Sequence, residues 1–236
     1  LRILSTVAEE DLPWTTLVTA DWTMANEILA QAWPLDYSGE GWQKAKAEAE
    51  AVFGPVDILV NNAGIAPNGK PFADMAADSF DRILAINLVG IYNGVLAFAA
   101  EMRERGRGHI VNTSSQAGLM TTVPGVGAYS VAKFGVTALS EQLRTEMEPH
   151  GVGVTALFPG FVQTNLGQNT VKIGGDIRQY SDVVMTSDVT PAHVGAMVVE
   201  AIERNDPYIV THKGVWRGIE KRFNALKAAC DFRDGA

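Results

Sequence analysis

Short apolar runs alternate with longer amphipathic segments along this chain, which is the pattern of strand–helix–strand crossovers in a parallel sheet. The apolar runs predict strands at 16–20, 32–35, 56–60, 109–113, 152–158 and 208–211. Apolar positions spaced for a helical face predict helices at 41–53, 79–105, 129–147, 190–204 and 216–229. Because buried parallel strands read as nearly continuous apolar runs, segments 57–60 and 153–157 fit such a sheet. The pattern therefore indicates an α/β fold.

The one long stretch without a clear period is 160–188, which contains several glycines. Irregular connections of this length are usually functional in a compact domain, and we interpret this one as a lid. The helix that follows has a clear start, because Thr190 is a favourable N-cap and Pro191 occupies the first helical position.

Composition narrows the class of protein. A chain of 236 residues that is 47% hydrophobic suits one domain with a substantial core. The net charge of -8 and the sequence pI near 5.0 argue against a nucleic-acid surface. The single cysteine, Cys230, excludes an internal disulfide and fits a reducing compartment, so we expect a cytoplasmic protein.

Neither a membrane span nor a metal site is expected. No run reaches about 18 consecutive apolar residues, and residues 1–10 lack the charged-then-apolar order of a signal peptide. His109, His150, His193 and His212 show no spacing typical of metal ligands, so we interpret all four as structural or surface residues.

Tyr129 and Lys133 carry the first sign of chemistry. They are four residues apart in a predicted helix, so the phenol and the ammonium share one face. A free phenol has a pKa near ~10, and an adjacent cation and a helix N-terminus both stabilise the phenolate. We therefore expect Lys133 to lower the pKa of Tyr129 and make it a proton donor and acceptor.

Polar and glycine residues follow the predicted strands at their carboxyl ends. These residues are Asp21, Asp36, Asn61-Asn62-Ala63-Gly64, Ser114-Ser115 and Pro159-Gly160. Ligands bind at this edge of an open parallel sheet. The sequence therefore predicts one site to which several strand ends contribute.

In order and spacing, these motifs resemble those of the short-chain dehydrogenase/reductase family. The matching elements are Asn-Asn-Ala-Gly at 61–64, Asn87, Asn-Thr-Ser-Ser at 112–115, Tyr-Ser-Val-Ala-Lys at 129–133 and Pro-Gly-Phe-Val-Gln-Thr at 159–164. The resemblance runs from about Thr16 onward. It implies a doubly wound, three-layer, Rossmann-like sheet in a single domain over 1–236, and an oxidoreductase that uses NAD.

The resemblance also implies a role for each catalytic position. Tyr129 would be the general acid/base, and Lys133 would tune it and bind the nicotinamide ribose. Ser115 would hold the substrate oxygen, although Ser114 is a rival for that role. Asn87 would anchor a water that links the lysine to solvent, or would only satisfy buried backbone groups in a bent helix.

Cofactor contacts are implied at further positions, beyond Tyr129 and Lys133. They are Asp21, Asp36, Asn62, Ala63, Gly64, Pro159, Val162 and Thr164. Asp21 would accept hydrogen bonds from the adenosine ribose and repel a 2′-phosphate, which favours NAD over NADP. The alternative is that Asp21 caps a helix in an NADP-dependent reductase.

We expect the substrate to be a secondary alcohol or ketone, apolar and cyclic or aromatic. The apolar residues near the motifs are Leu119, Met120, Phe161 and Leu166. By analogy with the family, helices 79–105 and 129–147 would pair across a twofold axis in a homodimer or homotetramer.

One element of the family pattern is missing from the printed sequence. The glycine-rich turn Thr-Gly-x-x-x-Gly-x-Gly does not occur, and residues 1–10 resemble the helix that this turn normally begins. We therefore expect roughly two dozen further residues upstream, on the family spacing of about 20 residues from the last glycine to the ribose-binding acid. The alternative is a non-catalytic binding protein without a cofactor loop.

Overall fold

A parallel sheet forms the centre of the fold in the computed structural model, which describes residues 40–121, 123–162, 164, 166–172 and 188–234. Four strands pair in the order β1-β2-β3-β4, all parallel. They are β1 Ile58–Asn61, β2 Gly108–Thr113, β3 Val152–Phe158 and β4 Tyr208–Val210. Each lies within two residues of its predicted bounds. Predicted strands 16–20 and 32–35 lie outside the described residues.

Seven α-helices accompany the sheet in the described part of the chain. They are α1 Glu40–Phe53, α2 Ala77–Leu84, α3 Gly90–Arg105, α4 Gly127–Met147, α5 Leu166–Lys172, α6 Pro191–Arg204 and α7 Trp216–Asp234. The Thr190 side chain accepts from the His193 backbone N–H, which confirms the predicted cap of α6.

One predicted helix contains an irregular turn, and one predicted loop contains a short helix. The segment expected as one helix from Ser79 to Arg105 is divided by a π-helical turn, Ala85–Val89, between α2 and α3. A π turn adds one residue without breaking the run of apolar positions, so the hydrophobic period does not reveal it. The loop predicted at 160–188 contains α5, whose seven mostly polar residues are too few to show a period.

Helices cover both faces of the sheet, as a doubly wound fold requires. Successive residues of a strand point to opposite faces, and Ile110 and Val111, both fully buried, divide in this way. Ile110 packs in a cluster with residues of α3 and α4, whereas Val111 packs in another with residues of α6. The result is the predicted three-layer α/β arrangement.

The continuous helical stretch 77–105 is long and apolar enough by composition to cross a membrane, which the run-length criterion did not anticipate. Of its most apolar 18-residue segment, 56% is buried inside the protein. Met102 and Phe98 pack in the sheet core. A core helix of an α/β domain satisfies the same length and composition criterion.

Candidate active site

Three neighbouring strands bring their polar ends to one edge of the sheet. Asn61, the last residue of β1, is in register with Asn112 of β2. Thr113, the last residue of β2, is in register with Leu157 of β3. Because the strands are parallel, the segments that follow them leave the sheet on the same side. The structure thereby brings together the Asn62–Gly64, Ser114-Ser115 and Pro159-Gly160 segments.

Helix α4 presents Tyr129 and Lys133 to this edge. The Lys133 ammonium lies 5.6 Å from the centre of the Tyr129 ring, so the predicted shared face is confirmed. Lys133 is only 3% exposed, and its Nζ donates to the backbone carbonyl of Thr113 at 2.8 Å. That hydrogen bond fixes the lysine beside the end of β2.

The pKa values of this pair differ from the expectation. Burial raises the pKa of the Tyr129 phenol, and the hydrogen bond with Ser115 opposes that shift. Burial lowers the pKa of Lys133 to about 7, because a desolvated ammonium is unfavourable. The pKa of the Tyr129 phenol is therefore shifted in the direction opposite to the one expected, and Lys133 is not among the causes of the shift. The lysine's own charge is destabilised by the same burial that destabilises the phenolate.

The two adjacent serines, which compete for the predicted role of holding the substrate oxygen, have different surroundings. Ser114 is 1% exposed, and its Oγ donates to the backbone carbonyl of Lys133 at 2.9 Å. Ser115 is half-buried, accepts from the Ala117 backbone N–H at 3.2 Å and bonds the Tyr129 phenol. Ser114 thus ties α4 to the sheet, and Ser115 is the serine that faces the phenol.

Asn87 lies in the π turn and is completely buried. Its Oδ1 accepts from the Ile65 N–H at 3.0 Å, and its Nδ2 donates to the Ile65 carbonyl at 3.2 Å. It therefore satisfies buried backbone groups, as one of the two interpretations proposed, but in the segment after β1 rather than in its own helix. Through these bonds it holds the Gly64 segment beside Lys133.

Gly64 lies where these groups converge. A Cβ at this position would lie 2.8 Å from Asn87 Oδ1 and 3.8 Å from Lys133 Nζ. Only glycine keeps the backbone this close to both side chains. The Lys133 ammonium beside this glycine is a suitable hydrogen-bond donor for the ribose hydroxyl groups of a dinucleotide.

The other predicted cofactor residues differ in their exposure and in their hydrogen bonds. Asn62 is exposed at the rim, and its Oδ1 accepts from Thr113 Oγ1 at 3.0 Å. Val162 is partly buried and packs on the α6 side of the core, whereas Thr164 is exposed and accepts from the Leu166 N–H at 3.4 Å. Ala63 and Pro159 are half-buried in the strand-end segments; Asp21 and Asp36 lie outside the described residues.

Sequence analysis missed Thr170. It is fully buried in α5, and its Oγ1 accepts from the Ala66 backbone N–H at 2.9 Å. This bond joins the predicted lid to the segment after β1, across 104 positions of sequence. A threonine in a short polar stretch gives no signal for such a contact, since only the fold brings the two segments together.

Among the described residues, no group of three or more His, Cys, Asp or Glu side chains is arranged to hold a metal ion. His109 is buried, with Nε2 2.8 Å from Thr155 Oγ1, and burial lowers its pKa to about 4. Its surroundings are those of the structural residue that was predicted.

A family model described as short chain dehydrogenase matches residues 16–173. Probable oxidoreductase EphD of Mycobacterium tuberculosis is 36% identical over 190 residues, covering 76% of this chain and 32% of EphD. The C alpha-dehydrogenase of a Sphingobium species is 30% identical, covering 79% of this chain and 65% of that protein. The 3-alpha-(or 20-beta)-hydroxysteroid dehydrogenase of M. tuberculosis is 41% identical over 123 residues, covering 52% of this chain and 46% of that protein. The chain thus spans about a third of EphD and less than two thirds of the other two.

Two solved structures with the same fold contain different nicotinamide dinucleotides, one NAD and the other NADP. A short-chain dehydrogenase/reductase from Burkholderia phymatum in complex with NAD has a TM-score of 0.74 and 27% identity, over 82% of this chain and 75% of that one. A metagenomic short-chain oxidoreductase in complex with NADP has a TM-score of 0.55 and 27% identity, over 74% of this chain and 68% of that one.

Proposed function

Because this chain belongs to the short-chain dehydrogenase family, we propose that it is an oxidoreductase that transfers a hydride between NAD(H) and a secondary alcohol or ketone. The observation that carries the proposal is the meeting of Tyr129, Lys133 and Ser115 at the carboxyl edge of the sheet. Proton transfer needs an acid/base group within hydrogen-bond reach of a second polar group that holds the reacting oxygen.

A bound NAD(H) would supply or accept the hydride. The Tyr129 hydroxyl would give its proton to the carbonyl oxygen during reduction, or take a proton from the alcohol during oxidation. Ser115 would donate to the same oxygen, where negative charge develops. Lys133, tied to Thr113 at 2.8 Å, would keep its positive end beside the phenol and offer its remaining N–H groups to the ribose.

NAD rather than NADP is the proposed cofactor. A carboxylate at Asp21, after the predicted strand 16–20, would accept from both ribose hydroxyls and repel a 2′-phosphate.

The proposed substrate is apolar and cyclic or aromatic. Leu119 and Met120 follow Ser115 closely and are half-buried, and Phe161 and Leu166 follow Pro159 with 43% and 36% of their surface exposed. Partly exposed apolar side chains in the segments that follow Ser115 and Pro159 favour a substrate with an apolar body. The hydroxysteroid dehydrogenase relative, by its name, acts on such a molecule.

The assembly proposed is a homodimer or homotetramer in the cytoplasm. Exposed apolar residues on α3 and α4 support pairing through these helices: Tyr92, Leu96 and Val131, with 49%, 47% and 44% of their surface exposed. Light scattering after size exclusion would test the assembly, and a monomer at micromolar concentration would contradict it. Cell fractionation would test the cytoplasmic location. That proposal is supported by the free, exposed thiol of Cys230, which suits a reducing compartment.

The decisive experiment is a panel of hydrophobic secondary alcohols, including a hydroxysteroid and an aryl carbinol, assayed with NAD and with NADP. Nicotinamide absorbance is the readout, and Tyr129→Phe is the control variant. We expect turnover with NAD, and a loss of roughly a thousandfold in kcat for the variant with little change in NADH affinity. Turnover retained in Tyr129→Phe would refute the mechanism; no absorbance change with any alcohol would favour a non-catalytic binding protein.

A further inference from the structure

His212 lies at the carboxyl end of the sheet, two residues after β4, beside the segment that follows β3. Its Nδ1 is 3.2 Å from the Gly160 backbone N–H, and its Nε2 is 2.9 Å from the Phe161 carbonyl oxygen. One ring therefore contacts two successive residues of that segment. Thr211 adds a further bond, since its Oγ1 accepts from the Gly160 N–H at 3.2 Å.

These contacts determine which ring nitrogen carries the proton. The Gly160 N–H is a donor, so Nδ1 must offer a lone pair to it. The Phe161 carbonyl is an acceptor, so Nε2 must carry a hydrogen. A ring with its hydrogen on Nε2 satisfies both contacts. The single lone pair of Nδ1 is then shared between the Gly160 N–H and the Thr211 hydroxyl, whose Oγ1 lies 2.6 Å away.

The same segment is fixed from its other side. The backbone carbonyl of Pro159 accepts from the Gln116 N–H at 3.0 Å, and the Gln116 side chain faces Gly160. A Cβ at Gly160 would lie 2.5 Å from Gln116 Nε2 and 2.7 Å from His212 Nδ1, so glycine is needed for this close approach. The chain at 159–161 is therefore held between Gln116 and His212.

From this geometry we propose that His212 is a positioning residue for the nicotinamide end of the cofactor. The inference rests on the proposed function: by the family resemblance, Val162 and Thr164, which follow this segment, would fix the carboxamide of the nicotinamide. This two-residue segment is held at the N–H of Gly160 and at the C=O of Phe161, so the residues that follow it are presented in one orientation. Less conformational entropy of the segment is then lost when a ligand binds. His212 acts through the backbone of Gly160 and Phe161 and has no part in proton transfer.

The test compares His212→Leu with His212→Gln. Leucine keeps much of the volume and removes both hydrogen bonds, whereas glutamine keeps one acceptor and one donor. We expect His212→Leu to bind NADH about tenfold more weakly in a fluorescence titration, since the net value of two hydrogen bonds is roughly that factor. His212→Gln should stay within about threefold of the wild type by the same reckoning.

In turnover assays, His212→Leu should raise the KM for the cofactor and leave kcat at saturating cofactor nearly unchanged. His193→Leu is the matched control, because His193 is an exposed histidine on α6 and should leave NADH binding unaltered. If the leucine variant does not fold, His212→Asn replaces it: its amide is too short to reach both partners, so its NADH affinity should fall below that of His212→Gln.

The outcomes separate this inference from the proposed function. A wild-type protein that binds no NADH would overturn both. A wild type that binds NADH with His212→Leu binding equally well would overturn only the role of His212. Equal losses of affinity in the leucine and glutamine variants, accompanied by equal losses in melting temperature, would show that the ring acts by packing alone.

Discussion

Replacing Lys133 by methionine should make the protein more stable while removing its activity. Burial lowers the pKa of Lys133 from 10.5 to about 7, so at pH 7 the folded protein is penalised for holding an ammonium that is free in the unfolded chain. At about 1.4 kcal/mol per pKa unit this penalty is roughly 4 kcal/mol. Methionine keeps a similar apolar stem and forfeits the hydrogen bond to the Thr113 carbonyl, worth about 1–2 kcal/mol.

The expected net gain is therefore about 2 kcal/mol in the free energy of unfolding at pH 7, measured by urea denaturation without dinucleotide. Lys221→Met is the matched control, because it removes the same charge from an exposed position on α7. Turnover in Lys133→Met should fall by roughly a hundredfold or more, the usual scale for losing a group that supports proton transfer.

The pH dependence provides a second signature. The folded-state pKa of Lys133 lies below its unfolded value, so between about pH 7 and 10.5 the unfolded chain binds the extra proton and wild-type stability rises with pH. Between pH 7 and 9 the rise should be about 2 kcal/mol, and Lys133→Met should lack it. A variant less stable than the wild type at pH 7, together with a wild type whose stability does not change over this range, would refute the reasoning.

Three further changes test other parts of the site. Ser115→Ala should lower kcat by roughly a hundredfold and cost at most about 1 kcal/mol of stability, for the lost bond from the Ala117 N–H. Ser114→Ala should cost about 1–2 kcal/mol of stability, since Ser114 Oγ bonds a buried backbone carbonyl. The reverse pattern in paired assays would exchange their roles. Gly64→Ala should weaken NADH binding and destabilise the protein by about 1–3 kcal/mol, because its Cβ would meet Asn87 at 2.8 Å, and unaltered titration and melting curves would show that the segment yields freely. His109 has a folded-state pKa of about 4, so above pH 6.5 its buried ring is neutral and carries no stability penalty. As the pH falls towards 4, roughly 3 kcal/mol of unfolding free energy should be lost, because the unfolded chain binds a proton that the folded protein does not. His109→Gln should reduce that loss in acid denaturation, and an unchanged acid transition would contradict the assignment.

The sheet and its polar edge were predictable because both depend on period and order along the chain. The strands contain short apolar runs, of which β3 is buried throughout, and a residue such as Pro159 after Phe158 cannot continue its strand. Parallel pairing then places these ends together without any knowledge of side-chain packing. The same reasoning placed Tyr129 and Lys133 on one face, since four residues is close to one helical turn.

Side-chain direction at the strand ends was less accessible. Asn61 and Asn62 form one motif in sequence, yet Asn61 is 3% exposed and donates to Asn112 Oδ1 at 2.8 Å, whereas Asn62 is exposed at the rim. Ser114 and Ser115 divide in the same way. Alternation along an extended chain requires such a division, but which member points inward depends on register, and the sequence alone leaves register open.

The sequence does not show how deeply Tyr129 and Lys133 are buried, and burial reverses the expected direction of the Tyr129 pKa shift. The spacing of Tyr129 and Lys133 establishes that two polar groups meet, but the sign of each pKa shift depends on how much water they keep. Of these two groups, Lys133 is therefore the one with a pKa near neutrality, at about 7. Among the identified influences on the phenol, the Ser115 hydrogen bond is the one that lowers its pKa. If Tyr129 acts as a base at neutral pH, the additional stabilisation of its phenolate must arise when ligands bind. A neutral-pH inflection in cofactor binding should accordingly disappear in Lys133→Met and persist in Tyr129→Phe.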